Sequence, residues 1–378
     1  MLPTSLYIHI PWCIRKCPYC DFNSHKSPEI LPEQQYIDAL VADFTADLIH
    51  FPGREIQTIF IGGGTPSLLS ADAYVSLFTR LQKLVTFAKD IEITLEANPG
   101  TVEQQRFTDY RQLGINRLSI GIQSFNPLHL KALGRIHDDK QAHKAIEAAR
   151  NAGFTNLNID IMHGLPGQSI SQGLEDLNIA LSHKPEHLSW YQLTIEPNTL
   201  FYKQRPSLPN EDEVCLIEEQ GLAYLAANSY QRYEISAFCQ AEKYAQHNLN
   251  YWLFGDYYGI GAGAHGKMTH ENSNQVFRTR KQRQPSDYLH PEKPFLAAKE
   301  PVDNSSLLFE YMLNTSRLEQ AIPNALFSER TGLSFATLEP FLKKAAETGL
   351  ISKNEHFWQI TPFGRRYTNN LQAMFLPD

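Results

Sequence analysis

The sequence predicts an α/β fold on a largely parallel sheet, and three observations carry that prediction. Short β-branched or apolar runs alternate with amphipathic helical patterns through roughly the first 230 residues. Each run ends in a polar or glycine-rich loop, as crossover units require. The chain has 378 residues, 42% of them hydrophobic, which suits one large α/β domain with a smaller one appended. Periodicity alone leaves a partial barrel and an open doubly wound sheet as alternatives. In both, a ligand belongs at the carboxyl ends of the strands.

The elements follow in order. Residues 5–10 read as a first strand, after which Tyr36, Ile37, Leu40, Val41, Phe44 and Leu48 recur at helical spacing. Residues 58–61 form a second strand that runs into Gly62-Gly63-Gly64-Thr65-Pro66. Ser70 is placed to cap the next helix, with Leu77, Phe78, Leu81 and Leu84 on its buried face. A third strand over 91–96 ends at Asn98-Pro99-Gly100, and Thr101 and Gln104 have capping-box spacing for a helix ending near Gly114. Strands over 117–123, 157–162 and 188–193 complete six strand–helix units. Glu96 and Asp160 are read as strand-end carboxylates, with Gln123 and Arg135 on or just beyond another strand.

The rhythm changes around Pro206-Ser207-Leu208-Pro209. The first 230 residues are therefore read as the core, and 231–304 as an aromatic, glycine-rich extension whose densest part is Tyr257-Tyr258-Gly259-Ile260-Gly261-Ala262-Gly263-Ala264. Residues 305–378 carry helical patterns, Thr348-Gly349-Leu350-Ile351, a hairpin around Asn354 and Trp358-Gln359-Ile360-Thr361, an order that predicts a small winged-helix-like domain.

The net charge of −7 argues against nucleic acid as the main partner. The N-terminus lacks a basic segment followed by an apolar one, and no run of about 18 apolar residues occurs, so a cytoplasmic protein is expected. Five cysteines, three of them within eight positions, suit a reducing compartment and a metal better than disulfides.

Those three are Cys13, Cys17 and Cys20, spaced C-x3-C-x2-C directly after the first strand. Three thiolates on one loop can wrap a single cubane and leave its fourth iron open to a chelating amino acid. Zinc is the alternative, although closed zinc sites usually show two separated pairs and four protein ligands. Cys215 and Cys239 are read as small apolar residues, and His9, His163 and His265 receive no role, the last lying in the glycine-rich loop.

The segment Cys13-Ile14-Arg15-Lys16-Cys17-Pro18-Tyr19-Cys20 resembles the radical S-adenosylmethionine signature, with an aromatic residue before the third cysteine. The resemblance implies a [4Fe-4S] cluster on Cys13, Cys17 and Cys20, whose open iron binds S-adenosylmethionine and reductively cleaves it. Further motifs resemble the oxygen-independent coproporphyrinogen dehydrogenase family and its relatives: Gly63-Gly64-Thr65, Leu95-Glu96-Ala97-Asn98-Pro99, Gly121-Ile122-Gln123-Ser124-Phe125, Gly134-Arg135 and Asn158-Ile159-Asp160-Ile161-Met162. By that resemblance Tyr7, Tyr19, Gly63, Gly64, Thr65, Glu96, Gln123, Arg135 and Asp160 contact S-adenosylmethionine, and the fold is a partial (β/α)6 barrel.

Two features depart from the dehydrogenases. Asp21-Phe22 follows Cys20 where those enzymes have a further cysteine, and only six residues precede Tyr7 where they carry a long arm. Cys20-Asp21-Phe22-Asn23-Ser24 and His247-Asn248-Leu249-Asn250-Tyr251-Trp252 instead resemble the HemW family of radical-SAM heme chaperones. That resemblance implies heme binding, with His247 as the iron ligand and Tyr251 and Trp252 as flat surfaces for the macrocycle, and delivery to acceptor hemoproteins, including respiratory enzymes at the membrane. The rival expectation is oxidative decarboxylation of coproporphyrinogen III.

Overall fold

A computed structural model describes residues 2–377, with the side chains of residues 101–104 outside the described set. The capping box expected of Thr101 and Gln104 therefore lies outside the described residues. Six parallel strands follow one another in space as they do in sequence: β1 (Thr4–Ile10), β2 (Ile56–Gly63), β3 (Phe87–Ala97), β4 (Arg117–Gln123), β5 (Leu157–His163) and β6 (His187–Gln192). The crossover helices are α1 (Glu33–His50), α2 (Ala71–Leu81), α3 (Thr101–Gln112), α4 (Asp139–Asn151) and α5 (Ile170–Ser182), with α6 (Glu211–Ala227) after β6. This is the expected partial barrel with its strands in sequential order.

Local signals explain several helix starts. The Ser70 hydroxyl accepts from the Ala73 N–H at the start of α2, and Asp138, Ser169 and Asn210 build complete capping boxes on α4, α5 and α6.

Side chains alternate across each strand, and here the two faces differ in chemistry. The outward residues, such as Leu6, Ile8 and Ile10 on β1, Ile93 and Leu95 on β3, and Ile159 and Ile161 on β5, pack into one apolar core with Leu40, Phe44, Leu77 and Ile146 of the helices. The inward residues are largely polar: Tyr7 and His9, Glu92, Thr94 and Glu96, Ser119 and Gln123, Asn158 and Asp160, Ser189 and Tyr191. Parallel strands buried on both faces normally read as continuous apolar runs, so a polar inner row marks a lined cavity. Asp160 is the fourth of seven residues of β5, which corrects its reading as a strand-end carboxylate.

The glycine-rich extension continues this same sheet at both edges. Beyond β6 come β7 (Gln231–Glu234) and β8 (Ala237–Cys239), with β8 antiparallel to β6. At the other edge, β9 (Asp256–Ile260) pairs parallel with β1, and β10 (His265–Thr269), β11 (Val276–Lys281) and β12 (Leu296–Pro301) follow as antiparallel neighbours. The result is a twelve-stranded sheet ordered β12-β11-β10-β9-β1-β2-β3-β4-β5-β6-β8-β7. A short helix, α7 (Gln246–Trp252), leads into β9.

The C-terminal part has its own core. It contains α8 (Asn304–Thr315), α9 (Asn324–Thr331) and α10 (Glu339–Glu347), plus a three-stranded sheet of β13 (Ile322–Pro323), β14 (Ile351–Lys353) and β15 (Phe357–Ile360). The hairpin around Asn354 is present, its carboxamide oxygen accepting from the His356 and Phe357 N–H groups. Phe254 and Val276 of the extension belong to this second core, which joins the C-terminal part to the sheet edge. No helix among the described residues is long and apolar enough to cross a membrane.

Candidate cofactor site

Cys13, Cys17 and Cys20 are free and half-buried, and they line one cavity of about 420 Å³ at the carboxyl ends of the barrel strands. Their loop is held from below: Thr65 N–H donates to the Trp12 carbonyl, Ser27 N–H to that of Cys13, and Cys20 N–H to that of Cys17. Burial pushes the Cys13 and Cys20 thiols up as free groups, outweighing the hydrogen bonds from Thr65 and Ser24 and, at Cys20, the nearby Lys16.

The same cavity gathers Tyr19, Gly63, Gly64, Thr65, Glu96, Gln123, Arg135 and Asp160, eight of the nine residues expected around S-adenosylmethionine. Tyr7, the ninth, opens instead onto a neighbouring cleft of about 900 Å³ that shares Asp21, Phe22, Gly63 and Glu96 with the first. Gly64 is required by close approach: a Cβ there would stand 2.5 Å from the Trp12 carbonyl oxygen. The Gly63 N–H donates to Glu96 Oε2 at 3.1 Å, which ties the glycine loop to β3.

Burial, aided by nearby Asp160 and opposed by the Gly63 N–H and Arg117, pushes Glu96 up to about 7. Burial also raises Asp160, although Asn158, Ser189 and Ser119 counter it with hydrogen bonds. Two inward carboxylates penalised in this way are suited to a cationic or hydroxyl-rich ligand that restores their lost solvation. Arg135 spans the opposite wall, donating to Asn98 Oδ1 and the Gly121 carbonyl at 2.6 Å and approaching Cys17 Sγ at 3.7 Å. Its Nε is buried and has no hydrogen-bond partner among the described residues.

Sequence reasoning missed several lining residues. Asn98 bridges Arg135 and the Thr65 hydroxyl, and Tyr191 donates to Gln123 Oε1 at 2.8 Å, holding a residue whose φ is +73°. Ser119 and Ser189 complete the polar wall. The signal was present as alternating polar residues, Ser119 and Gln123 on β4 and Ser189 and Tyr191 on β6. Asn23 was also missed. Its Nδ2 donates to the Ala262 and Arg283 carbonyls and its backbone carbonyl meets His9 Nε2, so it ties the cysteine loop to the glycine-rich loop. Gly263, with φ +84°, makes room for it, since a Cβ would lie 2.1 Å from Asn23 Nδ2.

The three residues expected to hold heme are neighbours, with His247 and Tyr251 ring centres 4.7 Å apart and those of Tyr251 and Trp252 6.4 Å apart, but they do not present one open face. His247 is fully buried, with Nδ1 on the Thr58 hydroxyl at 2.8 Å and Nε2 on the Tyr251 hydroxyl at 2.7 Å. Burial, with Arg117 nearby, lowers its pKa to about 3. In this arrangement both nitrogens of the expected heme ligand are taken up by hydrogen bonds within the protein. Tyr251 faces the larger cleft, whereas Trp252 turns to a different groove beneath the Arg317 guanidinium, 4.1 Å from its ring centre.

The sequence profile of the Radical SAM superfamily matches residues 7–179, and that of the HemN C-terminal domain matches residues 302–367. The chain is 47% identical to the heme chaperone HemW of Escherichia coli, over all of this chain and 99% of that one. It belongs to the HemW family. The HemW heme chaperone of Haemophilus influenzae is 46% identical over 100% of this chain and 98% of its own length, and that of Bacillus subtilis 34% identical over 99% of both. Among solved structures, E. coli coproporphyrinogen III oxidase, HemN, a radical SAM enzyme, superposes with a TM-score of 0.83 over 99% of this chain and 90% of that chain, at 23% identity. That likeness speaks for the fold.

Radical SAM membership implies a [4Fe-4S] cluster and S-adenosylmethionine. The residues fit both: three unpaired cysteines on one cavity, a glycine loop that admits no Cβ, two penalised carboxylates and an arginine with an unused donor.

Proposed function

We propose that this chain is a heme chaperone that binds heme on a radical-SAM scaffold and hands it to acceptor hemoproteins. Full-length 47% identity to the E. coli heme chaperone carries this reading. In it, residues 1–230 form the cofactor-binding barrel, 231–304 its extension and 305–378 the winged-helix-like unit. Cys13, Cys17 and Cys20 hold the cluster as thiolates. The backbone at Gly63 and Gly64 and the Glu96 carboxylate receive the ammonium group of S-adenosylmethionine, Arg135 its carboxylate, and Gln123 and Asp160 its ribose. Thr65 and Asn98 keep Arg135 in place, Tyr19 covers the adenine, and Tyr7 closes the side toward the larger cleft. Held by these residues beside a reduced cluster, S-adenosylmethionine would supply a 5′-deoxyadenosyl radical, with methionine as the other product. The protein works in the cytoplasm and meets membrane-bound respiratory acceptors through contact with them.

Anaerobically purified protein with a reconstituted cluster is the material for the test. It is expected to take up heme and to pass it to an apo-hemoprotein, followed by the acceptor's absorbance, while leaving coproporphyrinogen III unchanged. Absence of heme uptake, or steady formation of protoporphyrinogen IX, would overturn the assignment.

A further inference from the structure

Both His247 nitrogens are hydrogen-bonded within the protein, and the larger cleft contains another imidazole that is not. At about 900 Å³ it lies at the upper end of the range for small-molecule sites, about 300–1,000 Å³. Its walls come from the cysteine loop on one side and from the β9–β11 sheet edge on the other. Two histidines line it. His9 has both nitrogens engaged, Nδ1 with the Tyr7 hydroxyl at 2.9 Å and Nε2 with the Asn23 carbonyl at 2.8 Å. His265, the first residue of β10, is exposed, and its ring makes no hydrogen bond among the described residues.

We propose that heme lies in this cleft with His265 as its axial ligand and Arg280 at its propionate edge, resting on the heme-chaperone reading above. Arg280 stands directly opposite His265 in the β10–β11 ladder, so both project from the same face. Its guanidinium is half-exposed and among the described residues pairs only with an exposed Glu300 at 3.2 Å, a contact that a carboxylate pair on a porphyrin can displace. Tyr251, Tyr257 and the exposed Phe22 supply flat apolar area at the rim and floor. The Tyr257 hydroxyl is committed to Arg278 and that of Tyr251 to His247, which leaves imidazole as the free iron-binding side chain between them. Partial burial and the adjacent Arg280 and Arg278 lower the His265 pKa, favouring the neutral ring that ligates metal.

The position also gives His247 and Tyr251 of the HNxxYW segment a place. His247 fixes the Tyr251 hydroxyl from behind, so the segment shapes one wall of the cleft while the iron is bound across it. Because Gly63 and Glu96 line both spaces, heme in the cleft would lie against the wall of the S-adenosylmethionine cavity.

The test is a heme titration of the full-length, cluster-loaded protein, with wild type, His265→Ala and Arg280→Ala compared in difference spectra at the Soret band. Wild type is expected to bind with an imidazole-ligated spectrum. His265→Ala should shift that band and weaken binding at least tenfold, with added imidazole restoring the band, while the cluster's own absorbance stays as in wild type. Arg280→Ala should weaken heme several-fold and leave an iron porphyrin lacking carboxylates unaffected. An unshifted band and unchanged affinity in His265→Ala, with wild type binding normally, would overturn this ligand and leave the chaperone reading standing. A wild type that takes up no heme would remove both.

Discussion

Glu96 shows how one inward side chain is set by its surroundings. Its folded pKa of about 7 lies above the ordinary 4.5, so between those values the folded protein keeps a proton that the unfolded chain has released. Stability therefore falls as pH rises through 4.5 to 7, and the loss is complete above 7. Glu96→Gln retains an acceptor for the Gly63 N–H without the charge. In the absence of S-adenosylmethionine it should be more stable than wild type at pH 8 by on the order of 1–3 kcal/mol and level with it below pH 4.5. Denaturant midpoints at the two pH values check this, and equal midpoints at pH 8 would rule it out. The same variant should bind S-adenosylmethionine more weakly, because the cation loses its counter-charge.

Between elements, the junction of β9 with β1 depends on a buried ionic group. Asp256, the first residue of β9, accepts from Arg54, from Lys267 Nζ at 2.8 Å, and from the Thr269 N–H and hydroxyl at 2.8 and 2.9 Å. Burial opposes its charge, but Lys267 and Arg54 outweigh that and hold the carboxyl below its ordinary range. The stabilisation is thus present above the ordinary value of 3.8 and disappears as pH falls through the lower folded value. Asp256→Ala leaves the buried Lys267 with no carboxylate and the buried Arg54 with only the exposed Glu271 as counter-charge. It should cost about 3–5 kcal/mol at neutral pH, read as a lowered urea midpoint. A loss below 1 kcal/mol would show that water reaches Arg54 and Lys267 without difficulty. Since β9 leads into the glycine-rich loop beneath Asn23, the loosened edge should also weaken heme uptake.

Across the whole molecule, two cores meet at Phe254. It is 1% exposed, packs against Tyr311 with ring centres 5.7 Å apart, and lies beneath Lys267 Nζ at 4.3 Å. Phe254→Ala removes that joint. The expected loss is about 3–5 kcal/mol, with the C-terminal unit melting ahead of the barrel in a calorimetric scan. A single transition shifted as one would mean that the two cores unfold together. S-adenosylmethionine binding by the cluster-loaded variant should persist at low temperature, since no cavity residue belongs to the second core.

By itself the sequence determined which segments form the six parallel strands, the helix cap at Ser70, the cysteine loop and most of the polar cavity. Each depends on neighbours within a few residues or on a period of two, and such short-range constraints are written in the chain. Tertiary structure alone decided which histidine is free. His247 and His265 lie in the same extension, but Thr58 and Tyr251 close around the first from 189 and 4 positions away, whereas the ring of the second makes no hydrogen bond among the described residues. It also decided that β9 runs parallel beside β1, because pairing partners some 250 residues apart are chosen by packing and ion pairing at the sheet edge, and no local pattern encodes that choice.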